Sequence, residues 1–261
     1  MKGQLAARLG TAAVLIAALL AALFVLPRAA LAPVLAAVLF AAALEWAGLC
    51  RLGRRSAWAY AATLAAVFLI SEAIGLRPAL LAAAALFWMA VAPLWMWRGV
   101  RAGQVTWLGA SGFAVLLPAG LAVLALDPVE VLLVLVLIWV ADSAAYFVGR
   151  TWGRHKLAPA ISPGKSWEGV AGGLGGALAY AIILGFFTRG VAWVPFLAAA
   201  AVLFMISIVG DLFESAVKRQ AGVKDSGTLL PGHGGVLDRI DSTTATLPLA
   251  ALLWPMLKAG A

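Results

Sequence analysis

Val131-Leu-Leu-Val-Leu-Val-Leu-Ile-Trp-Val-Ala-Asp142-Ser-Ala-Ala-Tyr146-Phe-Val-Gly149-Arg150 is a long apolar run that closes on a carboxylate, an aromatic and an arginine. It is continuous rather than alternating, and long enough to cross a hydrocarbon layer of about 30 Å as a helix; a barrel strand is excluded by the same continuity. Cutting the rest of the chain at charge clusters, Pro and Gly gives eight further runs of that kind. The nine segments are 9–26, 29–49, 56–75, 78–97, 105–126, 130–148, 168–187, 190–210 and 240–258. The expected fold is therefore all-α: a polytopic integral membrane protein of about nine transmembrane helices.

Composition agrees. Of 261 residues, 64% are hydrophobic and 11% charged, with mean hydropathy +1.03. A soluble domain is about 45–50% apolar and about 25% charged, so an ordinary soluble enzyme, a disordered chain and a collagen-like chain are excluded. The one cysteine, Cys50, allows no intrachain disulfide. The net charge is +8, yet Lys and Arg form no long soluble stripe, and no nucleic acid partner is expected.

Lys and Arg set the direction of the spans. With a cytoplasmic N-terminus and nine crossings, Lys2, Arg8, Arg51, Arg54, Arg55, Arg98, Arg101, Arg150, Arg154, Lys156, Lys165, Lys218, Arg219, Lys224 and Arg239 lie inside. Arg28, Arg77, Arg189 and Lys258 lie outside. That is the bias of the positive-inside rule. The start of the chain has signal-peptide features, but Pro33 would follow the cleavage point and the apolar core is long, so a retained first helix is expected. Trp58, Trp88, Trp95, Trp97, Trp107 and Trp193 read as interfacial belts and lipid packing. Gly169, Gly172, Gly173, Gly175 and Gly176 read as a close helix-packing face.

The two halves differ. Residues 1–130 are Ala/Leu-rich with few acids and read as a scaffold of spans. Residues 131–261 carry Asp142, Glu168, Asp211, Glu214, Asp225, Asp238 and Asp241 and read as the catalytic region, with cytoplasmic loops 149–167 and 211–239. No internal repeat marks an inverted-repeat transporter. If 208–219 is helical, Asp211, Ser215 and Lys218 share one face; Asp238 and Asp241, three apart, share another. Two carboxylate pairs at one depth suit a hard cation such as Mg²⁺, which keeps waters and shares substrate phosphates. Lys165, Lys218, Arg219, Lys224 and Arg239 surround them and suit phosphate oxygens. Solvated loop charge explains these bases, but not acids bordering apolar spans, where burial is costly unless each is paired. The Pro231–Gly235 turn brings backbone N–H groups to an anion, with His233 in a structural or substrate-positioning role. Asp142, inside a span, is a functional candidate by position, with Tyr146 on its face. Ser166 marks a helix start. Glu45 is expected to pair with Arg51, and Glu72 to reach water.

The stretch Ser215-Ala-Val-Lys218-Arg219, Lys224-Asp225-Ser-Gly, Pro231-Gly-His233-Gly-Gly-Val-Leu-Asp238-Arg239-Ile-Asp241 resembles the signature of the phosphatidate cytidylyltransferases (CDP-diacylglycerol synthases). The segments 142–150 and 162–169 resemble that family as well; the first half resembles it only in being a set of apolar spans. The resemblance implies that CTP and phosphatidic acid give CDP-diacylglycerol and pyrophosphate with Mg²⁺, and with a monovalent cation such as K⁺ beside it. It implies Asp211, Ser215, Asp238 and Asp241 at the metal centre, and Lys218 and Arg219 on phosphates. It also implies a homodimer among the lipids of the bacterial inner membrane, its site facing the cytoplasm. The residues leave two rivals: a CTP-dependent lipid kinase or a cytidylyltransferase for another lipid phosphate, and a transporter.

Overall fold

The computed structural model describes residues 2–230 and 234–259, with side chains from Gly10 to Lys258 among them. The helices are α1 (Lys2–Phe24), α2 (Arg28–Leu49), α3 (Arg54–Ala73), α4 (Arg77–Leu86), α5 (Ala92–Arg98), α6 (Val105–Ala125), α7 (Pro128–Trp152), α8 (Trp167–Phe187), α9 (Trp193–Ala221) and α10 (Leu237–Ala259). A π-helical segment, Phe87–Val91, joins α4 and α5 into one rod, Arg77–Arg98. Among the described residues, seven helices are long and apolar enough to cross a membrane. In α1 the stretch Gly10–Phe24 is apolar, and α10 opens on Asp238, Arg239 and Asp241.

Local chemistry sets the ends. Ser166 accepts a hydrogen bond from the Gly169 N–H (3.2 Å) and caps α8, as the sequence predicts. Gly222, at φ +78°, closes α9 in the left-handed conformation that favours glycine. One apolar core unites residues of both halves of the chain, including Phe68, Leu116, Ile138, Phe213 and Leu237. The glycine stripe of α8 packs closely except at Gly175, which faces open space: a Cβ on Gly169 would lie 3.0 Å from the Ala145 carbonyl of α7, and one on Gly176 would lie 2.8 Å from Ala144.

Three readings change. Residues 211–221 are the last turns of α9, not loop, so the second long connection is 222–236. The apolar lower part of α9 carries the charged part into helix, because one hydrogen-bond ladder serves both. The first connection holds an antiparallel hairpin, β1 (Lys156–Ala158) and β2 (Ser162–Ser166). Trp88 and Trp95 do not belong to a belt. They surround buried Phe213 with Phe87 and Trp46, at centroid distances of 5.4–6.4 Å.

The bundle has two polar ends. Arg28, Asp127, Glu130 and Lys258 meet at one: Arg28–Asp127 at 2.7 Å and Lys258–Glu130 at 2.5 Å. Glu72, expected to reach water, pairs there with Arg77. At the other end the C-termini of α2 and α9 are tied by Gln220, whose amide donates to the Leu49 carbonyl (2.9 Å).

Candidate active site

The site is built on the last turns of α9, the first turn of α10 and the β1–β2 hairpin. His155 fixes the hairpin: its Nδ1 lies 2.6 Å from Glu168 Oε1, and its carbonyl accepts from the Trp167 N–H. Arg219 donates through Nε to the Ile161 carbonyl (3.2 Å) and through a terminal nitrogen to the Val223 carbonyl (3.0 Å). It thereby clamps the hairpin to α9. The hairpin presents Lys165, whose Nζ is 2.5 Å from Asp211 Oδ2. Both side chains keep more than a quarter of their surface exposed.

Asp211, Ser215 and Lys218 lie along one face of α9, as their spacing predicts. Ser215 Oγ donates to Asp211 Oδ1 (3.3 Å). Lys218 is buried, its Nζ 2.7 Å from Asp238 Oδ1 and 3.2 Å from Glu214 Oε1. The contact with Glu214 is electrostatic without hydrogen-bond geometry, and that buried oxygen has no hydrogen-bond partner.

Asp238 and Asp241 have opposite surroundings. Asp238 Oδ2 accepts from the backbone N–H groups of Ser226 (2.9 Å) and Gly235 (2.8 Å), while Oδ1 faces the Lys218 ammonium. Both oxygens are engaged, one of them by a cation that would repel a metal ion. In this arrangement Asp238 fastens the 222–236 connection to the start of α10. Asp241 accepts from the Ser242 N–H through Oδ1 (2.7 Å). Its carboxylate otherwise sits in the fields of Asp211, Lys218 and Lys165. Gly210 lets α10 come this close: a Cβ there would lie 2.8 Å from the Asp241 carbonyl. Asp142 on α7 lies within electrostatic reach of Lys165 and Asp211. Tyr146 does not join it; its hydroxyl accepts from Arg150 (2.7 Å).

Glu45 is the residue that sequence reasoning missed. Expected to pair with Arg51, it instead accepts from the N–H groups of Val236 (2.9 Å) and Leu237 (3.0 Å) at the start of α10. A carboxylate there satisfies orphan donors and complements the helix dipole. The Ser226 hydroxyl lies 2.9 Å from Glu45 Oε2 and 3.0 Å from Asp238 Oδ2, so its single proton serves one of them at a time. Gly227 permits the approach, since a Cβ would meet Glu45 Oε1 at 2.7 Å. The available signal was an acid inside an apolar span, which marks a partner or a function. Arg51 turns to the Ala221 carbonyl (3.4 Å).

Lys224 and Arg239 are exposed at the rim. His233, with Pro231 and Gly232, lies outside the described residues. Among the described residues, no three His, Cys, Asp or Glu side chains converge as a ready-made metal cage. Mg²⁺ needs less: one or two carboxylates, with waters and substrate phosphates completing its shell. Asp211 and Asp241, whose charges act on one another, fit that requirement, with the Ser215 hydroxyl beside Asp211 as a further oxygen donor.

A family model described as the cytidylyltransferase family matches residues 6–257. The phosphatidate cytidylyltransferase of Pseudomonas aeruginosa is 43% identical over 264 residues, covering 95% of this chain and 96% of that protein. That of Haemophilus influenzae is 55% identical over 124 residues, 45% of this chain and 42% of its own. That of Thermotoga maritima is 43% identical over 133 residues, 49% of each.

Proposed function

The chain belongs to the cytidylyltransferase family, and on that premise we propose how its cleft makes CDP-diacylglycerol and pyrophosphate from CTP and phosphatidic acid in phospholipid biosynthesis. It is a multi-pass membrane nucleotidyltransferase. The observation that carries the mechanism is the Lys165–Asp211 pair at the edge of the apolar bundle, with Asp142 and Asp241 within electrostatic reach of it.

The lipid phosphate has a second pKa near 6, so at pH 7 it is mostly dianionic and needs no general base. One of its oxygens forms a bond to the α-phosphorus of CTP as the α–β bridging bond breaks, and pyrophosphate leaves with that electron pair. Two polyanions must be brought together and aligned, so the task is electrostatic and positional. Lys165, on its hairpin, is the ammonium open to phosphate oxygens; to take them it releases Asp211. Lys218 is enclosed by Glu214 and Asp238 and holds the frame rather than the substrate. Arg219, Lys224 and Arg239 extend positive charge along the rim toward the triphosphate, and His233 falls in the same connection. Mg²⁺, held by Asp211, Ser215 and Asp241 with Asp238 beside them, would neutralise phosphate charge and polarise the α-phosphorus. A monovalent cation such as K⁺ belongs beside the same carboxylates, whose charge exceeds that of the neighbouring lysines.

The bias of basic residues supports an inner-membrane protein with a cytoplasmic N-terminus and cleft, where CTP is available. A homodimer is part of the same proposal.

The test uses purified protein in mixed micelles with phosphatidic acid, Mg²⁺ and CTP labelled at the α or the γ phosphorus. Alpha label in lipid, pyrophosphate released, and loss of both in Asp241→Asn is the expected result. Gamma label in lipid would make the protein a CTP-dependent kinase.

A further inference from the structure

A second recess lies on the other side of α9 from the carboxylates. It is a cavity of about 780 Å³ between the Arg77–Arg98 rod and α6. Phe87, Val91, Leu94 and Trp95 form one wall, and Trp107 on α6 faces them. The wall includes part of the π-helical segment, an irregularity frequent at functional sites. The mouth is basic: Arg98 and Arg101 are exposed and form no ion pair among the described residues. Gln104 shapes that mouth by accepting from Trp95 Nε1 (2.9 Å) and from the Arg101 N–H (3.0 Å).

The cavity is not the reaction centre. Phe87 and Trp95 touch α9 through Phe213, at centroid distances of 5.4 and 5.6 Å. Phe213 is two residues from Asp211 and therefore about 200° away around the helix. A ligand here would lean on the back of the catalytic helix.

We propose that this cavity is an accessory site for an anionic membrane phospholipid, separate from the site of cytidylyl transfer. Its apolar and aromatic walls take acyl chain, and the Arg98 and Arg101 guanidinium groups take the phosphate. Unneutralised cations at the mouth of an apolar recess, at the edge of a spanning bundle, match a ligand that is anionic at one end and hydrocarbon at the other.

Phosphatidylglycerol is a suitable probe because its phosphate is a diester and cannot accept a cytidylyl group. Native mass spectrometry of the full chain in micelles with phosphatidylglycerol, or with phosphatidylcholine, reads the retained lipid. Expected are retention of phosphatidylglycerol over phosphatidylcholine and roughly tenfold or greater loss in Arg98→Ala/Arg101→Ala. Ala110→Trp, which fills the cavity without touching its charges, should lose the lipid too, whereas Asp241→Asn should keep it. Equal retention by the wild type and the cavity variants would overturn the proposal. So would loss in Asp241→Asn alone, which puts the lipid at the reaction centre. Dissociation of a dimer in the cavity variants, with lipid retention unchanged, would overturn it by making this face a contact between copies.

Discussion

The two polar ends of the bundle use the same residue types for different purposes. At one end Arg28, Asp127, Glu130 and Lys258 meet as opposite charges, and most of their side-chain surface, Glu130 excepted, remains open. Such exposed pairs contribute about 0–1 kcal/mol each. At the other end Asp142, Asp211, Glu214, Asp238 and Asp241 converge on Lys165 and Lys218. There the carboxylates outnumber the ammonium groups among them, and Glu214, Lys218 and Asp238 are nearly closed off from solvent. A balanced, open pair is a fastening. A half-buried excess of one sign persists only where a countercharge arrives, which is what a metal-dependent site requires.

The comparison can be broken most decisively at the carboxylates. Asp211→Asn and Asp241→Asn should each lower cytidylyl transfer by about 10³-fold or more, since each removes a charge from the group proposed to hold Mg²⁺. The Asp127→Asn change at the opposite end should leave the rate within about twofold. Comparable losses at both ends would mean that global folding, not the site, is being read. Radiolabel transfer on protein checked by size exclusion separates the two.

Glu45→Ala is expected next in size. It leaves the Val236 and Leu237 N–H groups without their carboxylate, and hydrogen bonds to charged groups are worth about 1.5–3 kcal/mol each. Activity should fall about 10²-fold while the helices persist, and limited proteolysis should cut newly within 222–236. Intact resistance in that segment would remove Glu45 from its positioning role.

A smaller change separates the two lysines. Lys165→Met should raise the KM for CTP about tenfold or more, because an open ammonium is lost from the phosphates. Lys218→Met should instead lower thermal stability, because Glu214 and Asp238 lose the cation buried between them. Identical behaviour of the two variants would undo the distinction drawn between them. Smallest of all, Lys258→Ala should cost about 1 kcal/mol or less in stability and leave kinetics unaltered.

The apolar runs made the helices legible, because a backbone in hydrocarbon must satisfy its own hydrogen bonds whatever its neighbours are. Their expected limits lie within a few residues of α2 to α8. The end of α9 was not legible, since charge there looked like loop while the ladder continued through it. The nature of the site was readable too. Acids beside apolar spans with bases around them have few physical excuses, and Asp211, Ser215 and Lys218 fall on one face as their spacing demands.

Which partners each carboxylate meets was decided only by tertiary structure. Asp238 and Asp241 are the same residue type one helical turn apart, and nothing local distinguishes them. The connection 222–236 supplies N–H donors to Asp238 from Ser226 and Gly235, whereas Asp241 takes the Ser242 N–H and feels the charge of Asp211 on α9. Glu45 lies some 190 residues before the backbone it holds, and its meeting with α10 depends on how α2 packs against the rest. Sequence determines which groups must find partners, because burial makes an unpaired charge too costly. The packed bundle determines which partners they find.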